Sequence, residues 1–419
     1  MREFSSFCRS SGPIWIRSFI PSMPGPPKRS SGCSSRRKSH RRMQGSESMN
    51  NKATISPQQV TLLFLSFITS SAIVFIPNPV IQAAHNGAWL SMLLSGLCGM
   101  LMLALVLYLY RQHPSIVFVQ YFRDMFGAWF TVLVIVPFLL SLFMMTANIT
   151  QGLGLFLTSS MMVETPMYIF HAFTLVAAAL TVRAGIEVMA RMFGLLIFIV
   201  IVTVAFVLLF AIPDYDPGAL LPQFNDGWKP IAYGTYLTYG WPYSEIFLFT
   251  SIFCFVRTDT KKKWTKPLYG ALVFHMLVFS IVIACTIMTF GKSAAERKYS
   301  LYEVARVIEI TGIFERIESI VGITLIAGSY MKISICLFVL NLTASRLFNL
   351  KDDRLLIYPI TVAILFLSVT MFPTESEAFE CWTVVWPFIA ICFSVPLLLA
   401  LTGTVVRNIR RRGQASRKH

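Results

Sequence analysis

Charge is what this 419-residue chain has least of: Asp, Glu, Lys and Arg make up only 13% of it. A soluble domain carries roughly a quarter, so a water-facing globule is excluded as the main architecture. Catalytic signatures are missing too. There is no G-x-x-x-x-G-K-[ST] phosphate loop, no H-E-x-x-H and no G-x-S-x-G, and without such groupings no enzymatic activity is expected. The eight cysteines include no C-x-x-C pair. Cys98, Cys254, Cys285, Cys336 and Cys392 fall in or beside apolar runs, where a thiol serves as a small hydrophobe, so neither a metal nor a cofactor is expected. The basic start is followed by no short apolar core with a small-residue cleavage site, which excludes a secretory signal peptide.

What the chain has is apolar length. Hydrophobic residues make up 55% and the mean hydropathy is +0.64. Runs such as GLLIFIVIVTVAFVLLFAI at 194–212 reach the ~20 residues needed to cross ~30 Å of hydrocarbon. We place membrane spans at 59–81, 88–110, 127–157, 166–183, 190–212, 230–256, 267–290, 317–346, 355–372 and 382–406. The net charge of +16 could suggest nucleic acid, but its distribution says otherwise. With a cytoplasmic N-terminus, the inside loops and tail hold eighteen Lys and Arg, the outside loops only six. The acidic stretches at 214–218 and 373–380 fall outside. This alternation fits the positive-inside rule at every loop and predicts an all-α membrane protein of ten spans with both ends in the cytoplasm. Residues 300–313 predict an amphipathic helix on the outer surface, with Val304, Val307 and Ile308 near one face; 114–125 predict a short inner one.

Three regions follow: a basic extension at 1–48, the membrane domain at 49–410 and a basic cytoplasmic tail at 411–419. The extension, rich in Ser, Arg, Lys and Pro, has a disordered composition. It reads either as a tail that touches anionic lipid or as the product of a start placed too early. MNNKATISPQQV, running straight into the first span, favours Met49 as the true first residue.

A small-molecule pathway needs polar groups at membrane depth, and backbone supplies them only where a helix is interrupted. Span one carries Thr69, Ser70 and Ser71 at its middle, with Pro77 and Pro79 beyond. Span six carries Tyr239, Gly240, Trp241, Pro242 and Tyr243 at its middle, then Ser244 and Glu245. Pro inside a span is often no more than a kink. Breaks at corresponding positions of two five-span halves, however, point to an inverted-repeat transporter site. Glu245 and Lys332 both fall near mid-depth, where ionisable residues are costly and usually functional. As a pair they would lower each other's cost, either beside a site, with Lys332 standing where a coupling cation would otherwise sit, or as a purely structural clamp. Arg183, Glu187 and Arg191 form an expected ion cluster or gate at the inner ends of spans four and five. His171 and His275 are read as satisfied core histidines rather than a proton relay. Phe143 and Asn148 in span three are candidate cavity-lining residues.

Several segments together resemble the B subunits of spore-germinant receptors, within the amino acid–polyamine–organocation transporter superfamily. They are ISPQQ at 55–59, ITSS with the following IPNPV, NGAWLSMLLSG at 86–96, RAGIEVMARMFG at 183–194, YGWPYSEIF in span six and SYMKISI in span eight. The resemblance covers about residues 50–410. It implies ten helices in a five-plus-five inverted repeat with helices one and six broken, and a nutrient site formed by spans one, three, six and eight. Carried over by position, the binding candidates are Thr69, Ser70 and Ser71, then Tyr239 to Glu245, with Tyr330 and Lys332. The ligand class implied is a small nutrient, often an amino acid. The implied partners are an A subunit and a lipoprotein C subunit in the spore inner membrane. One departure stands out: many relatives have a glycine in the span-one break, where this chain reads Thr-Ser-Ser-Ala. The same broken helices would equally serve a secondary amino acid permease, proton-coupled or not, and a ligand-free scaffold or channel is a third reading.

Overall fold

The computed structural model describes residues 54–112, 118–222, 227–256, 264–308, 317–392 and 394–404. The basic extension, the basic tail and the Lys261–Lys263 run lie outside these. Among the described residues the chain is helical, and its one β-type pairing is an isolated bridge between Ile55 and Val256.

Among the described residues, eight helices are long and apolar enough to cross a membrane: Pro57–Phe75, Pro77–Gln112, Ala128–Met161, Met167–Ala184, Ile186–Phe210, Thr265–Glu296, Glu318–Leu347 and Glu375–Thr404. They coincide with eight of the ten expected spans. The ninth span is a shorter apolar helix, Ile357–Thr370, and the sixth is divided. The chain is therefore a multi-pass membrane protein.

Local chemistry explains where the helices begin and stop. Ser56 and Gln59 form a reciprocal capping box with Pro57 in the first turn, so ISPQQ starts span one. The helix Pro57–Thr69 ends where Ser70 leaves helical geometry (φ 8°, ψ −126°) and a new helix, Ala72–Phe75, begins. Span six runs as Trp228–Thr238, opens at Trp241 (φ −146°, ψ 110°) and resumes as a tight helix over Ser244–Thr250. Spans four and five are separated at Gly185, whose φ of +98° is easy only for glycine.

The expected outer amphipathic helix forms at Ser300–Val307, but it does not lie flat on the surface. Leu301, Tyr302, Val304 and Ala305 are all buried against the bundle, whereas Val307 is exposed. Its apolar face meets protein instead of lipid. Tyr299 packs edge-on against Phe75 and Phe156, and Tyr302 against Phe156. The expected inner helix appears as Phe118–Phe126.

Candidate functional site

The two breaks meet in the middle of the bundle, and glycine lets a neighbouring span pack closely on each. A Cβ on Gly328 of span eight would fall 2.7 Å from the Ser70 carbonyl carbon and 3.0 Å from the Ser71 nitrogen. Span eight therefore packs directly on the backbone of the span-one break. On the other side, a Cβ on Gly240 would lie 2.5 Å from Pro387 Cα of span ten.

Between the breaks lies a cavity lined by Ser71 and Phe75 of span one, Met145, Asn148, Ile149 and Gly152 of span three, Trp241 and Glu245 of span six, and Trp382 and Trp386 of span ten. It offers about 30 Å³ of space to the centre of a water molecule, room for one or two waters. Aromatic rings narrow it on one side: Phe75 packs edge-on against both Tyr299 and Trp382. The Trp382 indole donates to Asn148 Oδ1 at 3.4 Å.

At the floor, Lys332 Nζ stands 2.7 Å from Glu245 Oε2, both side chains essentially unexposed. The ammonium also faces the rings of Phe67 at 5.2 Å and Trp241 at 5.8 Å, contacts that favour a desolvated cation. The carboxylate takes this ammonium on one oxygen and is also reached by the Trp386 side chain. Glu245 therefore faces two ways, to Lys332 behind and to the cavity in front.

The remaining sequence candidates spread around this centre. Thr69 Oγ1 is 3.3 Å from His275 Nδ1, and the His275 ring lies edge-on to Tyr243. Ser70 bonds back to the Phe67 carbonyl. Ser244 bonds back to the Gly240 carbonyl, and Pro242 is buried in the break. Tyr239 turns away to Ser394 in a lipid-side groove between spans two, six and ten. Tyr330 also turns away, its hydroxyl to Thr181 and its ring to Phe193. Phe143 packs on the core without lining the cavity, whereas Asn148 lines it. The inner cluster is split: Glu187 pairs with Arg191 and accepts from the Thr54 amide, while Arg183 reaches Tyr358 of span nine. His171 Nδ1 is 3.0 Å from Ser368 Oγ, and its other ring nitrogen has no partner.

Trp382 and Trp386 were not singled out from the sequence. Their four-residue spacing puts them on one helix face, but only the packing of span ten shows that this face turns inward. No group of three or more His, Cys, Asp or Glu able to hold a metal occurs among the described residues.

A family model described as spore germination protein matches residues 54–376. Spore germination protein KB of Bacillus subtilis (strain 168) is 26% identical over 330 residues, covering 78% of this chain and 87% of that protein. Spore germination protein YndE of the same organism is 22% identical over 303 residues, covering 71% and 82%. Among solved structures, a substrate-bound, outward-open Na+-coupled sialic acid symporter superposes with a TM-score of 0.64 at 11% identity, covering 85% of this chain and 91% of that one. MhsT in complex with L-phenylalanine superposes at 0.61 and 13% identity, covering 82% and 89%. The structural likenesses establish a transporter fold.

Proposed function

The chain belongs to the spore germination protein family, and from that premise we propose that it is the nutrient-binding B-type subunit of a germinant receptor. It would bind a small nutrient, an amino acid in the first instance, in the cavity between the broken spans. The observation that carries this reading is the cavity itself, which brings Ser71, Trp241 and Glu245 from both breaks to one place beside the Phe75 and Tyr299 rings. A nutrient larger than a water or two must part the Trp241, Trp382 and Trp386 walls. Binding therefore favours a different arrangement of the bundle, which is what a sensor requires. An A subunit and a lipoprotein C subunit would read that change in the spore inner membrane, with both ends of this chain in the cytoplasm.

The test is germination of spores lacking this gene across a panel of single amino acids and sugars. Loss of the response to one nutrient, with the others intact, is expected. Unchanged germination to every nutrient would reject the receptor role. The second reading, a secondary permease, draws on the likeness to symporters and would be tested by radiolabelled amino acid uptake into vesicles.

A further inference from the structure

Glu245 is the one carboxylate in the cavity wall, and it is already engaged from behind by a charged group of the protein's own. Lys332 reaches it from span eight and lies in a cage of one carboxylate and two aromatic rings, Phe67 and Trp241. Carboxylate plus aromatic faces is the chemistry that selects an ammonium ion. The same carboxylate shares the cavity wall with Trp241 and two further indoles, Trp382 and Trp386. Lys332 meets one oxygen at 2.7 Å and the Trp386 side chain reaches the same wholly buried carboxylate, whose two oxygens can accept about four hydrogen bonds and so have room for a further donor. A buried carboxylate in this condition gains from another donor.

We infer that the cavity recognises its ligand through an ammonium group, and that Lys332 is a built-in competitor for the same carboxylate. This rests on the reading of the cavity as the nutrient site. At rest, Lys332 ties span eight to the span-six break. An incoming primary ammonium donates to Glu245 from the tryptophan side, draws the carboxylate forward and loosens its tie to Lys332. Ligand binding and release of span eight from span six are then one event.

The experiment uses the purified full chain in lipid nanodiscs, with thermal shift and calorimetric titration. The probes are primary amines such as ethylamine and isobutylamine, the matched carboxylates propionate and isovalerate, and the parent amino acids. Amines and amino acids are expected to bind and the carboxylates not. Removing the competitor by Lys332→Met should tighten amine binding roughly tenfold, because the carboxylate is no longer held in the unliganded arrangement. Lys332→Arg, which keeps the charge and should fold if Lys332→Met does not, holds Glu245 with a two-pronged grip and should weaken amine binding. Carboxylates binding as well as amines would overturn the inference. So would amino acid binding unchanged in whichever lysine variants fold, and that outcome leaves the nutrient site standing. Wild-type protein that binds none of the probes rejects both.

Discussion

Gly328 carries more of the site's geometry than any residue in the break it supports. Its missing side chain lets span eight press on the Ser70–Ser71 backbone, and a Cβ there would fall within 3.0 Å of three backbone atoms. Those atoms belong to a buried break and cannot swing aside. Gly328→Ala should therefore lower stability by about 1–3 kcal/mol and displace the break. The check is the melting temperature of the purified protein beside Gly270→Ala, where the added Cβ meets nothing within 4 Å and little change is expected. The sequence showed the Thr-Ser-Ser-Ala break, but not that the glycine packed on it lies some 260 residues further along, since pairing of helices is not written in either helix alone. The Glu245–Lys332 pair was legible, because two ionisable residues at equal depth have few other partners. Glu245→Gln alone leaves a buried ammonium without its counter-ion and should cost about 3–5 kcal/mol. The double change Glu245→Gln, Lys332→Met should recover most of that in a melting experiment and still fail to restore the nutrient response. Recovery of both would make the pair purely structural.

The segment between spans seven and eight works as an outer strap over the cavity. Asn78, buried just beyond the span-one break, donates to the carbonyls of Ala295 and Arg297 at 2.9 and 3.1 Å, and Gln82 adds a third bond to Ala295. Lys298 pairs with Glu375 at the start of span ten, and Tyr299 continues from there onto Phe75. Span one, the strap and span ten are thereby joined at the outer mouth. Asn78→Ala removes two part-buried bonds and takes the Asn78 donor from the Arg297 carbonyl, while Gln82 still serves Ala295, a loss of about 1–2 kcal/mol. It should appear as faster amide exchange over residues 294–300 with the rest of the bundle unchanged; equal protection there would show that the strap is held by its aromatic contacts alone. From sequence, the strap's helix read as a surface float. The apolar positions were correctly spaced, but amphipathicity does not say whether the apolar face meets lipid or protein. Trp382 and Trp386 were missed for a related reason: aromatic residues near a span end are equally at home at the membrane interface.

The whole molecule follows a charge rule that can be tested loop by loop. Cationic residues gather on one side of the assigned spans and the acidic stretches on the other, which predicts both ends inside. The weakest link is span nine. Ile357–Thr370 has 14 helical residues, about 21 Å at 1.5 Å per residue, short of the ~30 Å hydrocarbon core. Turn residues and a polar flank must cover the rest, or the bilayer must thin around it. Its crossing decides the side of everything that follows, including Glu375 of the outer strap and the basic tail. Single cysteines placed in a chain freed of its own eight read this directly. Asp216→Cys and Ser376→Cys should react with a membrane-impermeant maleimide in intact cells, and Lys351→Cys only after lysis. All three positions are exposed. Positions 351 and 376 flank span nine alone, so labels on opposite sides show that this short helix crosses. Labels on the same side would make it a re-entrant segment, carry the tail to the opposite face and leave the Lys298–Glu375 contact on the wrong side of the membrane to close the cavity.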